Sequence, residues 1–266
     1  MADAQADLER AEQRAGVRVR SLTEVSELLD AQHVFDEVWP PAGGGTQVAS
    51  NMMRAIVHAG GYACAAYRDD EPIGAALGFV GRHRAEGEWH GHLHSHMAAV
   101  LDPYRDQHIG SALKLHQRVW SLEQGIDTVV WTFDPLVRRN ARVNLVKLGV
   151  DVEGFEADFY GPMDDGINSG DPTDRLFAWW RVDSPRVHAA MRGEVAEIDV
   201  DLLAAQGRDV RVIALPDDIV ALRSQDGVAA LEWRLRVREE LHDAFASGYR
   251  VTGFATIGGY ALERTS

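Results

Sequence analysis

Four histidines, His90, His92, His94 and His96, occupy every second position of one short segment. If that segment is extended, all four side chains project from one face, successive ones about 6 to 7 Å apart. An alkyl ammonium, with a pKa of about 10, has no lone pair until a base takes its proton. An imidazole, with an ordinary pKa of about 6.5, can accept that proton near neutral pH, directly or through water. His94 and His96, at i and i+2, can equally share a zinc ion with His90 or His92, or serve only as hydrogen-bonded structure.

The same stretch continues into a second signal. The run HSHMAAVLDPYRDQHIGSAL, residues 94–113, reads as a strand, a tight polar turn and a helix that begins at Gly110. Backbone N–H groups at such a turn point outward without partners, and the helix dipole adds positive potential, which together make a cradle for a diphosphate.

These residues need a scaffold, and the surrounding pattern supplies one. Residues 1–16 read as a charged, Ala-rich helix or tail ending at Gly16, followed by a strand at 17–20. Ser21 with Glu24 has the capping-box spacing, and an apolar stripe through Val25, Leu28, Leu29, Phe35 and Val38 marks a helix that Pro40 and Pro41 stop. A Gly-rich turn at 43–45 leads to a second helix over 46–58. Strands at 62–67 and 72–81 flank an acidic turn and predict a hairpin. After a polar connection come a strand at 92–101, a helix at 110–124, a strand at 127–133, a helix at 138–148 closed by Gly149, and strands at 152–160 and 176–182. The loop over 161–174 interrupts this order. From Ser184 the texture changes to a polar stretch, a strand at 210–215, an amphipathic helix at 226–246 and strands at 249–254 and 259–263.

Composition bounds the function. Among the 266 residues acids outnumber bases 41 to 27, giving a formal charge of −14, and a field of that sign repels phosphate backbones, so no nucleic-acid partner is expected. Cys64 is the single cysteine, which excludes an intrachain disulfide and a thiolate zinc cage and points to the cytoplasm. No apolar run suited to a signal or a membrane span is present, so no membrane partner is expected.

The strand order and the turn together resemble the GNAT superfamily of acyl-coenzyme A N-acyltransferases, whose signature R/Q-x-x-G-x-G/A lies between the fourth strand and the following helix. The resemblance covers residues 17–182. In the favoured register Arg105, His108 and Gly110 match, with His where the first glycine is usual, and a Cβ there carries a cost if φ is positive. In the other register Gln107, Gly110 and Ala112 match. The resemblance implies coenzyme contacts at Ala98, Ala99, Val100, Arg105, Asp106, Gln107, His108, Ile109, Gly110, Ser111 and Ala112. Asn140, with Ala141, Asn144, Lys147 and Gly149, resembles the later helix along the coenzyme. Where the family often has a tyrosine as general acid, this sequence has Leu145; Tyr160 or Tyr104 can substitute, or the thiolate can leave without an acid. A His-x-His at this place is similar to that of arylalkylamine N-acetyltransferases and implies His96, helped by His94, as the base. More narrowly, HSHM, WTFDPL, RNA, KLG, YGPM and PTDR together resemble a bacterial subgroup with a C-terminal extension. Some of its members are thought to occur beside N-acylamino acid racemases, which implies acylation of amino acids.

The expected fold is therefore α/β, a mixed central sheet flanked by helices, with a tail or helix at 1–16, a transferase domain at 17–183 and a C-terminal α/β extension at 184–266. The expected activity is transfer of an acyl group, acetyl by default or succinyl, from the acyl-CoA co-substrate to a small-molecule amine or amino acid, with no metal required. The extension can close the acceptor pocket, complete the core or form a homodimer interface. The rival reading is a non-catalytic coenzyme A sensor or interaction protein.

Other motifs have plain readings. Ser111-x-x-Lys114 has the spacing of penicillin-recognising serine enzymes, but no S-D-N or K-T-G follows, and a helix surface explains it. Arg138, Arg139 and Arg142 can meet phosphates or form a solvated face. Asp164, Asp165, Asp171 and Asp174 resemble a calcium loop superficially, and a solvated loop is the reading adopted. Trp131, Phe133, Trp179 and Trp180 read as core and acceptor-pocket wall.

Overall fold

The computed structural model describes residues 1–41, 43–161 and 171–264. The chain divides into two compact units, the first comprising Met1–Trp131 and the second running from Thr132.

In the first unit, α1 (Ala2–Ala15) ends at Gly16, whose φ of 62° makes a left-handed cap that an L-residue with a side chain adopts at a cost. The helix is no loose tail: Ala4 and Leu8 are buried, and Asp7 pairs with Arg118 of the later helix α4 at 2.8 Å. Next come β1 (Arg18–Ser21), α2 (Val25–Val38), α3 (Ser50–His58), β2 (Tyr62–Arg68), β3 (Glu71–Ala85), β4 (Glu88–Val100), α4 (Ile109–Glu123) and β5 (Thr128–Phe133). Ser21 does not cap α2, because it pairs with Cys64 as the last residue of β1. Glu24 is the cap, and the Glu27 carboxylate accepts the N–H groups of Thr23 and Glu24 at 2.9 and 3.1 Å. Helix α3 starts later than position 46, since Asp36 holds the Thr46 hydroxyl and the Gln47 N–H in a loop conformation.

The polar connection expected between 82 and 91 is instead paired strand. β3 and β4 remain in register as far as Ala85↔Glu88, around a two-residue turn in which Glu86 and Gly87 both have positive φ. Such turns match the right-handed twist of the arms. The strands β1 to β4 are antiparallel neighbours in chain order, and β5 joins β4 in parallel. One face of the sheet packs on α2 through Leu28, Ala31, Val34, Phe35, Ala75, Leu77 and Ala99. On the other face α4 comes close: a Cβ at Gly74 would stand 3.1 Å from Ile109 Cγ2.

In the second unit, α5 (Arg138–Arg142) runs into a single π-helical turn at Val143–Lys147, after which Gly149 turns the chain with φ 67°. β6 (Asp151–Glu156) and β7 (Arg175–Arg181) form an antiparallel pair, β6 ending short of position 160 as Asp158 takes positive φ. Then follow α6 (Pro185–Met191), α7 (Val200–Ala205), β8 (Val210–Ala214), α8 (Ile219–Gln225), α9 (Gly227–Ala246), β9 (Tyr249–Ala255) and β10 (Gly259–Arg264). The last three strands make a separate antiparallel sheet in the order β8-β10-β9. Asp134 beyond β5 is clamped by Arg234 of α9 at 2.9 Å and by Arg223 of α8 at 2.5 Å, and Asp171 bridges the same two arginines. Asp174 pairs with Arg238 at 2.6 Å. Asp171 and Asp174 are thus ion-pair partners of arginines and not a solvated loop, while Asp164 and Asp165 lie outside the described residues.

Candidate active site

β4 carries the histidines, and its pairing explains their placement. Cross-strand partners share a face. Phe79 of β3 pairs with His94, and His83 pairs with His90, so these four rings lie on one side. His94 lies 4.9 Å and His96 5.6 Å from the Phe79 ring, and the two imidazoles are 6.1 Å apart, centroid to centroid. His83 Nδ1 stands 3.2 Å from His92 Nδ1. Phe79 and His83 escaped the sequence reading; only the turn at Glu86-Gly87, which sets the register, could have shown them. Among the described residues no group of three or more His, Cys, Asp or Glu is arranged to hold a metal ion.

A β-bulge changes the phase of β4 at this point. Gly78 faces Ser95 while Leu77 faces Met97, leaving His96 as the extra residue. Strict alternation would put Ala98 and Val100 on the histidine face. After the bulge they pair with Ala76 and Gly74, on the α4 face, and Met97 and Ala99 turn to the α2 side.

Pairing between β4 and β5 is confined to Leu93↔Val129 and His94↔Val130. Among the described residues of the first unit, β4 has no paired strand on that edge beyond His94. The Leu101 N–H donates to Ile73 O on the β3 side, so the N–H of Val100, one residue back, points to the open edge. The histidine pair and this edge lie side by side on one strand.

The chain then passes through a 3₁₀ turn, Asp102–Tyr104, into the turn that starts α4. Asp106 and His108 have φ of 64° and 65°, so His108 takes the left-handed conformation that carries a Cβ cost. Among the described residues the N–H groups of Gln107, His108, Ile109 and Gly110 donate to no acceptor. A Cβ built at Gly110 would meet no atom within 4 Å, so the space beside that residue is open. Four outward N–H groups at a helix start fit a diphosphate. Around them Arg105 pairs with Asp102 at 2.6 Å, Gln107 receives a hydrogen bond from Arg68 at 3.0 Å, and Ile109 and Ala112 are buried while Ser111 is half-buried.

Electrostatics keep the imidazoles neutral. Burial pushes His94 down to about 4, helped by His96, His92 and Lys114, and loss of solvent also lowers His96 and His92. Lys114 is not on a solvated helix surface: its ammonium donates to Ser95 Oγ at 2.9 Å, and burial pushes it down to about 7.

Residues 22–149 match the model of the acetyltransferase (GNAT) family. This stretch is thus similar to a GNAT acetyltransferase domain. Among solved structures, the Escherichia coli ribosomal-protein-S18-alanine N-acetyltransferase is similar at 14% identity and TM-score 0.46, covering 63% of this chain and 95% of its own. Arabidopsis thaliana Naa50, in complex with a bisubstrate analogue, is similar at 17% identity and TM-score 0.45, with 62% and 97% covered. An Elizabethkingia anophelis GNAT-family acetyltransferase with acetyl-CoA bound is similar at 13% identity and TM-score 0.42, with 62% and 98% covered. No curated protein matches the chain in sequence.

The remaining expected site residues, Tyr160 and Asn140, belong to the second unit. Tyr160 is 40% exposed; its hydroxyl lies 3.0 Å from Thr132 Oγ1, and the Arg175 guanidinium sits 5.2 Å from its ring centroid. Asn140 is exposed on α5, whereas Leu145, at the position where a phenol is usual in the family, is buried in the π-helical turn. Arg138 and Arg142 are held by Asp217 and Glu197. Among the described residues no helix is long and apolar enough to cross a membrane.

Proposed function

We propose that this chain transfers an acyl group, acetyl by default with succinyl as the rival, from an acyl-CoA to the amine of a small molecule or amino acid. The reading rests on one arrangement: two neutral imidazoles on β4, at the point where its β5 edge opens and 13 positions before a helix start with unpaired N–H groups, counted from His96 to Ile109. When bound, the coenzyme supplies an activated acyl thioester. The N–H groups of residues 107–110 hold its diphosphate, the open edge of β4 from Ala98 to Val100 pairs with its arm, and the Val100 N–H points at the oxygen where charge develops. His96 takes the proton of the ammonium, and His94 relays it along the histidine row towards solvent. Tyr160 or Tyr104 protonates the thiolate, and Asn140 contributes from α5. Residues 17–183 are the catalytic domain in this reading, with 1–16 and 184–266 as additions to it.

Thiol release from acetyl-CoA and succinyl-CoA, measured against a panel of amines and both enantiomers of amino acids, tests the proposal. Turnover with one acceptor class supports it. Saturable coenzyme binding without turnover on any acceptor favours the second reading, a coenzyme sensor, which the buried Leu145 motivates.

A further inference from the structure

Lys114 is one of only two lysines in the chain. It projects from α4 towards the face of β4 opposite the histidines. Its Nζ donates to Ser95 Oγ at 2.9 Å and to Gln117 Oε1 at 3.2 Å, and lies 3.8 Å from the ring centroid of Trp131. No carboxylate pairs with it among the described residues. Ser95 stands between His94 and His96, at the residue where the bulge begins. One hydroxyl therefore ties an ammonium to the point at which β4 changes phase.

We propose that Lys114 is a positioning residue for the histidine pair: by holding Ser95 against α4 it fixes the strand at the bulge, so that His94 and His96 keep one face while Ala98 and Val100 leave it, and its positive charge opposes a second one on His94. This rests on the reading of His94 and His96 as the proton acceptors. The geometry excludes a solvated role, since the tether spans two elements and the ammonium packs on an indole face. The groups around Lys114 do not neutralise it. On β2, burial holds the Cys64 thiol protonated, up to about 12, and raises Tyr62. On α4, His116 is pushed down to about 4 by burial and then by Arg18 of β1, and Arg118 is matched by Asp7 of α1. Facing His94 are Phe79 on β3 and His92 and His96 on its own strand.

The test combines ring titration by NMR with the pH–rate profile of acyl transfer, on the full chain. In Lys114→Met the His94 midpoint should rise by at least several tenths of a unit, and Lys114→Arg should keep it low. In Ser95→Ala, where the charge stays and the tether goes, kcat should fall severalfold with KM little changed. An unmoved His94 midpoint in Lys114→Met overturns the electrostatic part, and wild-type kcat in Ser95→Ala overturns the tether. Should Lys114→Met not fold, the comparison of Lys114→Arg with Ser95→Ala still decides the tether. Shifted ring midpoints with an unchanged pH–rate profile would reject the histidines as proton acceptors and leave the role of Lys114 standing.

Discussion

His94, pushed down to about 4, is a weaker base than a solvated imidazole, but it keeps its lone pair free across the physiological range. A group of this kind suits a relay that passes a proton on and does not store it. Replacing His96 or His94 by Ala should lower kcat/KM by roughly 10²- to 10⁴-fold near pH 7. The loss should shrink at high pH, where the amine deprotonates by itself. A pH–rate profile measures this, and wild-type behaviour in both variants would rule out the relay. His108 gives a second prediction at this scale. With φ at 65° its Cβ costs about 1 to 2 kcal/mol, partly offset because Gly frees the unfolded chain. His108→Gly should raise stability by up to about 1 kcal/mol, visible in thermal melts, without weakening coenzyme binding.

At the scale of elements, β4 does three things along 13 residues: it closes a hairpin, bulges at His96 and parts from β5 after His94. Each depends on a partner strand. In the second unit the comparable device is ionic. Burial works against the Asp134 carboxylate, yet Arg234 and Arg223 outweigh it and draw it down to about 2. Arg234 is only 1% exposed, so Asp134→Asn would leave a buried charge without its full complement. That substitution should cost on the order of 3 to 5 kcal/mol, read by denaturant unfolding. A cost under about 1 kcal/mol would mean that Asp171 alone satisfies both arginines.

For the whole molecule two of the perturbed groups, Asp134 and Lys114, act at opposite ends of the pH scale. Asp134, with its folded pKa depressed, contributes stability above about pH 4 that is lost as pH falls towards about 2. Lys114 has a folded pKa of about 7 against 10.5 unfolded. Between those values the unfolded chain binds the extra proton, so stability rises with pH across that window, and the cost of burying the ammonium is fully expressed below it. The slope of unfolding free energy between pH 7 and 10 should therefore be positive in the wild type and shallower in Lys114→Met, by up to a few kcal/mol over the window. Equal slopes would show that Lys114 is solvated. In the proposed reaction the net charge of −14 would draw in a cationic acceptor, and the N–H groups of residues 107–110 would supply the local positive potential that a polyanionic coenzyme requires.

Much of this was legible in the residues themselves. Gly16 ends α1, the acidic turn joins β2 to β3, an amphipathic helix is marked over 226–246, and a strand, a tight turn and a helix follow His94, because periodicity and turn chemistry are local properties. The alternation of four histidines likewise sufficed to place them on one face. What required the tertiary structure were the partners: Phe79 and His83 across the hairpin, Lys114 beneath Ser95, and the arginines of α8 and α9 around Asp134. The bulge at His96 could not be read from β4 alone, since it is a mismatch of count between two strands. A sequence specifies which faces its elements present, but register, burial and the charges set opposite one another arise only when segments distant in the chain pack together.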